Sequence, residues 1–334
     1  MTVNDCDRSP AFTRRSPGIL RSMCLCLAAG MLLAAGAAAS DVGGNAFDFL
    51  RMDAGAAGIA LGGAAVGRPT DAYAVLFNPA LNCAPGGEGS VSPGLSYSAW
   101  VEGINYQDAV IGRRSGKYAY GIEYRKLDYG NISGYDAAGN STTDYTAGAY
   151  VLGLNFSREL SRKLAAGAAA KTALQKIGGA TSRAFLYDLG LFYKPSGPEA
   201  KLMFGLALKN AGSAVKFDAA NETLPMIWEA GAAYEPFDGL AFMLDCGIPN
   251  SGKTEPRAGI EYSPVKGIFL RAGYSGNDAG SGFRAGAGIA SRGISLDYAF
   301  LQMGEFGITH HLGLNIKLAT AVQAAEANPH VEQK

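Results

Sequence analysis

Near its C-terminus the chain alternates without a break. Leu312, Leu314, Ile316 and Leu318 fall on one parity, and His311, Gly313, Asn315 and Lys317 fall on the other. A strand of this period presents one apolar face and one polar face. Similar segments, separated by turn residues, recur from about residue 92 to residue 318 with no long helical pattern between them. Fourteen candidate strands can be delimited, at 92–100, 104–114, 117–127, 144–156, 163–176, 183–194, 200–209, 225–235, 239–246, 256–263, 266–275, 281–290, 292–301 and 306–318. An even count of short antiparallel strands suits a bacterial single-chain barrel. The pattern therefore predicts an all-β fold: a closed antiparallel outer-membrane β-barrel of about 14 strands.

The faces follow from parity. Tyr118, Tyr120, Ile122 and Tyr124 are expected to meet lipid, as are Phe185, Tyr187, Leu189 and Leu191. Ile294, Leu296, Tyr298 and Phe300 form a third such row. The opposite parity carries Glu123, Arg125, Asp188, Lys209, Glu229 and Arg257, and then Glu261, Arg271, Arg284, Asp297 and Lys317. These are expected to face the lumen, because a charge on the lipid face costs about 2–4 kcal/mol at mid-bilayer. The lumen charges are mixed in sign, so simple anion or cation selectivity is not indicated. They fit either an ion-pair network across the inner wall or the lining of a solute path.

The compact breakers at 114–117, 195–198, 236–239 and 264–267 read as tight turns. Longer links near 128–143, 211–224 and 276–280 should lie at the opposite, exterior end.

Residues 1–40 read as a secretory signal peptide. Arg14, Arg15 and Arg21 precede an apolar run at 23–33, and Ala37, Ala38, Ala39 and Ser40 offer a small-residue cleavage site. Removing it takes away Cys6, Cys24 and Cys26 and leaves Cys83 and Cys246, which either form one bridge or remain two free thiols. Lys and Arg number 29, as do Asp and Glu, and no basic block occurs, so nucleic acid is not an expected partner.

The stretch 41–90 does not alternate. It is rich in Gly and Ala, residues 71–77 could form a short helix, and Asn78-Pro79-Ala80-Leu81 supplies a helix cap followed by proline at the first helical position. A barrel of this size cannot close its lumen with wall side chains alone. This segment is expected to be an N-terminal plug containing small helices, with Asn78, Pro79, Ala80 and Leu81 as its motif; a periplasmic cap or leader is the alternative. The expected organisation is signal peptide 1–40, plug 41–90, barrel 91–318 and a C-terminal tail 319–334.

Several ordered motifs carry a resemblance. Phe47-Asp48-Phe49-Leu50, the stretch 58–64, Asp71-Ala72-Tyr73-Ala74, Asn78-Pro79-Ala80-Leu81, Leu208-Lys209-Asn210-Ala211-Gly212, Leu224-Pro225, Asp297-Tyr298-Ala299-Phe300 and Gly307-Ile308-Thr309-His310 resemble PorV/PorQ family proteins. That family is similar to the FadL-type transporters, which are fourteen-stranded barrels with an N-terminal hatch. The resemblance implies type IX secretion-type cargo handling at the outer membrane, with secretion-machinery or cargo proteins as partners. The alternative it implies is passive transport of a hydrophobic small molecule. Outer-membrane lipid is a partner on either reading.

Residues 247–254 match the phosphate-binding P-loop formally, through Gly247, Gly252, Lys253 and Thr254. The mechanism needs a helix starting at Gly252. Pro256 and the alternation from Arg257 to Tyr262 leave no room for one, so no nucleotide is expected. His310 and His311 are adjacent and point to opposite faces of a strand, so they cannot share a metal. No nucleophile-elbow sequence occurs, and neither a cofactor nor an enzymatic activity is expected.

Overall fold

The computed structural model describes residues 45–85, 89–217, 220–276, 282–304 and 307–319. The expected signal peptide, and residues 320–334 of the expected tail, lie outside the described residues. No helix among the described residues is long and apolar enough to cross a membrane.

Alternation produces the expected strands. They are β1 (Ser90–Ala99), β2 (Asn105–Ser115), β3 (Tyr118–Ile132), β4 (Tyr145–Ser161), β5 (Leu164–Ile177), β6 (Ala180–Tyr193) and β7 (Leu202–Ala211). The second half contributes β8 (Ile227–Phe237), β9 (Leu240–Pro249), β10 (Glu255–Tyr262), β11 (Ile268–Ser275), β12 (Gly282–Ser291), β13 (Ile294–Gln302) and β14 (Ile308–Ile316). Each pairs antiparallel with its sequence neighbour, and β14 returns to β1 in register from Gly94↔Asn315 to Ala99↔His310. The sheet is thus a closed 14-stranded antiparallel barrel, and closure leaves no edge strand.

Burial is inverted relative to a soluble protein. Phe185 is 65% exposed and Leu154 63%, whereas Asp188 and Arg257 are each only 4% exposed. The apolar parity faces outward and the charged parity inward, as a lipid environment requires. One end of the barrel carries the tight connections, such as 116–117, 162–163, 238–239 and 292–293. The other end carries most of the longer ones, including 133–144 and 212–226. Within 212–226 a small hairpin pairs Val215 with Glu222, and Ser182 Oγ donates to the Lys216 carbonyl at 3.0 Å.

The N-terminal segment runs through the lumen from end to end. At the long-loop end Ala46 N donates to the Thr223 carbonyl at 3.0 Å; at the tight-turn end Cys83 Sγ donates to the Lys117 carbonyl at 3.1 Å. Between them lie a 3-10 turn (Asp48–Arg51), helix α1 (Ala56–Ala60), helix α2 (Ala74–Phe77) and a second 3-10 turn (Pro79–Cys83). The helix expected over 71–77 forms only at its C-terminal end. Asp71 Oδ1 instead accepts from Tyr73 N at 2.9 Å, an Asx-type turn that competes with helix. Asn78 caps the second 3-10 turn by accepting from Ala80 N at 3.0 Å, with Pro79 in first place.

Three sequence ambiguities resolve. Cys83 and Cys246 are both free thiols. Residues 247–254 are the end of β9 and a hairpin loop, with no helix to receive phosphate. His310 points outward, where its Nδ1 lies 2.8 Å from the Tyr298 hydroxyl, and His311 points inward between Ser98 and Thr309.

Candidate functional site in the lumen

The wall receives the N-terminal segment through glycines. A Cβ on Gly167 would lie 2.5 Å from the Pro79 carbonyl carbon, and one on Gly259 would lie 2.6 Å from the Leu61 oxygen. At Gly205 and Gly273 an added Cβ would likewise run into main-chain atoms, of Val66 and of Leu61 and Gly62. These positions come from β5, β10, β7 and β11, so the segment's backbone rests on bare wall around the circumference. Such contacts leave no space for a side chain.

Asn78 fixes the segment's middle. It is fully buried, and its Nδ2 donates to Val66 O at 3.0 Å and to Leu191 O at 2.9 Å. Val66 N in turn donates to Asp245 Oδ2 at 2.8 Å. Asn82 Nδ2 donates to the Tyr120 carbonyl at 3.1 Å. Of the other motif residues, Ala80 and Leu81 pack with Phe192, Met203 and Met243 of the wall, and Pro79 lies over Gly167.

The expected lumen charges assemble into ion-pair chains that tie segment to wall. Arg257 lies 2.8 Å from Glu229 and 2.6 Å from Glu255, and Lys209 lies 3.0 Å from Glu229. The segment joins this chain through Arg51, paired with Glu255, and Asp53, paired with Arg284 and 3.8 Å from Arg257. A second chain runs from Arg68 to Glu261 (3.0 Å), then to Arg271 (2.7 Å) and Asp297 (2.6 Å). Elsewhere Glu123 pairs with Arg125 at 3.2 Å, and Asp188 pairs with Lys171 at 2.6 Å. Buried charges are tolerable only when paired in this way.

Lys317 differs from the other expected lumen charges in being exposed. It lies at the tight-turn rim, where its N donates to the Gly293 carbonyl at 2.6 Å and Leu318 and Ala319 after it still pair with Val91 and Ser90 of β1. Lys171, Asp53 and Arg68 belong to the network but were not singled out from the sequence. Lys171 lies on the inward parity of β5, which could have revealed it; the two segment residues lie in a stretch with no parity to read.

Two carboxyls of the segment differ in environment. Burial alone would raise the Asp53 carboxyl, but Arg284 and Arg257 beside it hold it below the ordinary carboxylate range. Burial, reinforced by the nearby Asp297 carboxylate, pushes Asp71 up to about 6.

One part of the inner wall is apolar. Tyr106, Leu127, Val151 and Leu186, from β2, β3, β4 and β6, converge with Leu224 of the long loop on Phe47, Phe49 and Leu50 of the segment. Phe47 holds a left-handed backbone (φ 62°) that a bulky residue rarely adopts, so packing dictates its conformation. The lumen is therefore divided. Strands β2 to β6 supply an apolar compartment toward the long-loop mouth, and β7 to β13 supply most of the charged network. A separate concavity of about 800 Å³ lies on the outer wall, where Leu95, Tyr97, Leu312, Leu296 and Ile289 face lipid around the closing seam.

No family model matches the chain, and no curated protein matches it. Solved structures do. The toluene transporter TbuX of Ralstonia pickettii superposes with a TM-score of 0.58 at 15% identity, covering 80% of this chain and 98% of its own. The fold is that of the FadL-like outer-membrane barrels. The Pseudomonas putida toluene transporter TodX gives a TM-score of 0.54 at 16% identity, over 79% of this chain and 96% of its own. A Pseudomonas aeruginosa FadL homologue gives 0.52 at 11% identity, over 79% of this chain and 98% of its own.

Proposed function

We propose that this protein is an outer-membrane channel for passive uptake of hydrophobic small molecules, with residues 41–90 as its plug. The observation that carries the reading is the apolar compartment formed by Tyr106, Leu127, Val151 and Leu186 near the long-loop mouth of a lumen that elsewhere carries a network of ion pairs. A polar solute would gain nothing from such a surface, whereas an apolar one would bury its area there at roughly 25 cal/mol per Å². Phe47, Phe49 and Leu50 now occupy it, so entry requires this part of the segment to yield while the portion seated on the glycines stays. The fold neighbours described as toluene transporters support the same solute class, and they are transporters and channels rather than enzymes.

The cargo-handling role implied by the PorV/PorQ resemblance draws no support from the structural neighbours. Co-purification with type IX translocon components would restore it. The channel reading is tested by uptake of labelled fatty acid or toluene into proteoliposomes. Uptake faster than through a sealed control barrel is expected, and an equal rate would refute it.

A further inference from the structure

The two rims of the barrel differ in charge. All but one of the turns at the tight-turn end present an exposed cation in or beside the turn: Lys117, Lys163, Lys201, Lys266 and Arg292; Lys317 follows β14. The turn at 238–239 lacks one and presents Asp238. Arg162 adds to the ring, and Arg113 and Arg158 stand just above it on the outward parity of β2 and β4, next to Ile111 and Phe156. Among the described residues the only exposed acids at this end are Glu199 and Asp238. Among the described residues the long-loop rim is close to balanced: exposed Lys176, Arg183, Lys216 and Lys253 stand against Glu102, Asp136 and Asp144.

The position of the ring matters as much as its sign. Its cations border the apolar outer belt, where Tyr118, Tyr193, Tyr262, Val265, Ile268 and Leu318 are exposed. Arg158 lies over the Tyr118 ring, 5.4 Å from its centroid, so its stem follows the apolar wall while its charge stays at the boundary. Arg114, by contrast, turns inward and is paired with Glu159. A cationic ring level with the edge of an apolar belt lies at head-group depth, and Arg113 and Arg158 carry its charge onto the outer face of the wall.

We propose that the tight-turn rim binds anionic phospholipid head groups of the leaflet it meets, holding the barrel at a fixed depth and enriching those lipids around it. The proposal rests on the membrane-barrel reading. Cations near an anionic surface each contribute attraction that salt screens.

The test uses the full chain reconstituted in phosphatidylcholine vesicles carrying trace spin-labelled phosphatidylglycerol or phosphatidylcholine. The immobilised fraction of each label is read by electron paramagnetic resonance. The native chain should prefer phosphatidylglycerol about threefold at low ionic strength, with the preference falling toward unity at about 0.5 M salt. The variant K117Q/K163Q/K266Q/R292Q/K317Q should lose it, and K176Q/K216Q/K253Q should keep it. Equal immobilisation of both labels by the native chain overturns the proposal, as does a preference that survives in the first variant or disappears in the second. The native chain's salt dependence decides the matter even if a variant fails to fold. Insertion is read separately, by heat-modifiable gel mobility. A chain that inserts but shows no preference overturns this inference alone, whereas one that never inserts overturns the membrane reading with it.

Discussion

Phe49→Ala should make the apolar compartment easier to enter. Phe49 is 6% exposed and packs with Phe47 and the inner wall, so its removal costs the seated segment about 3–5 kcal/mol by the measure of buried phenylalanine truncations. A solute that needs the segment displaced binds with an apparent affinity scaled by the displaced fraction. Each 1.4 kcal/mol withdrawn from the seated state raises that fraction about tenfold until the site is mostly open. Part of the loss will be recovered as neighbours relax into the gap. The expected gain in apparent affinity is therefore about ten- to a hundredfold. Titration of the purified chain with an environment-sensitive fluorescent fatty acid reads it directly. Leu154→Ala, on the exposed outer face of β4, removes comparable apolar volume outside the lumen and should leave the affinity unchanged. An unchanged or weaker affinity in Phe49→Ala, with the barrel intact by heat-modifiable mobility, would show that the segment does not compete with the solute.

Other consequences concern how the segment is held. Asn78→Ala removes hydrogen bonds to Val66 O, Leu191 O and Ala80 N and strands buried carbonyls, which should cost about 2–4 kcal/mol and appear as a lower midpoint in urea-induced unfolding in lipid. Gly205→Ala drives a methyl group into the Val66 carbonyl, backbone against backbone, and should destabilise by about 1–3 kcal/mol or more in the same assay, whereas alanine at Gly179, with open space around it and no left-handed backbone, should cost far less. The Asp71 carboxyl, raised to about 6, binds its proton more tightly in the seated state than when released. Its contribution is therefore most favourable at low pH and declines as pH rises from about 4 to about 6. Asp71→Asn should flatten that part of the stability profile measured by hydrogen exchange of the segment, and an unchanged profile would remove Asp71 as its source.

The barrel was legible because alternation records which face each residue takes. The fourteen strands and the side taken by most of the charges follow from parity, and the closed barrel is expected from the even run of strands with no long helix between them. Parity does not say what the inner face meets. Across 147–152 in β4, Ala147, Ala149 and Val151 point inward while Tyr150 and Leu152 point outward, so both faces are apolar. That local loss of contrast marks the compartment wall, but by itself it resembles an ordinary hydrophobic strand. The seating of the segment was less accessible still. It depends on main-chain atoms of Leu61, Val66 and Pro79 meeting glycines on β10, β7 and β5, and on ion pairs such as Arg51–Glu255, whose partners are separated by 204 residues. No local pattern encodes such pairings; they emerge only when closure of the barrel brings distant strands around the segment. Lys317 shows the converse limit: parity assigns a face but not a depth, and at the rim an inward-parity side chain is still exposed.

The most direct test of the account is a cross-link between segment and wall in intact membranes. The Ala56 Cβ lies 3.2 Å from where a Cβ on Gly313 would sit, a few tenths of an ångström inside the spacing of a disulfide, so a small shift of the segment seats the bond. In a chain lacking Cys83 and Cys246, Ala56→Cys with Gly313→Cys should join within one molecule under mild oxidation and give a reducible shift in gel mobility. Absence of that bond, or its formation only between molecules while the barrel remains folded, would contradict a segment lodged in the lumen.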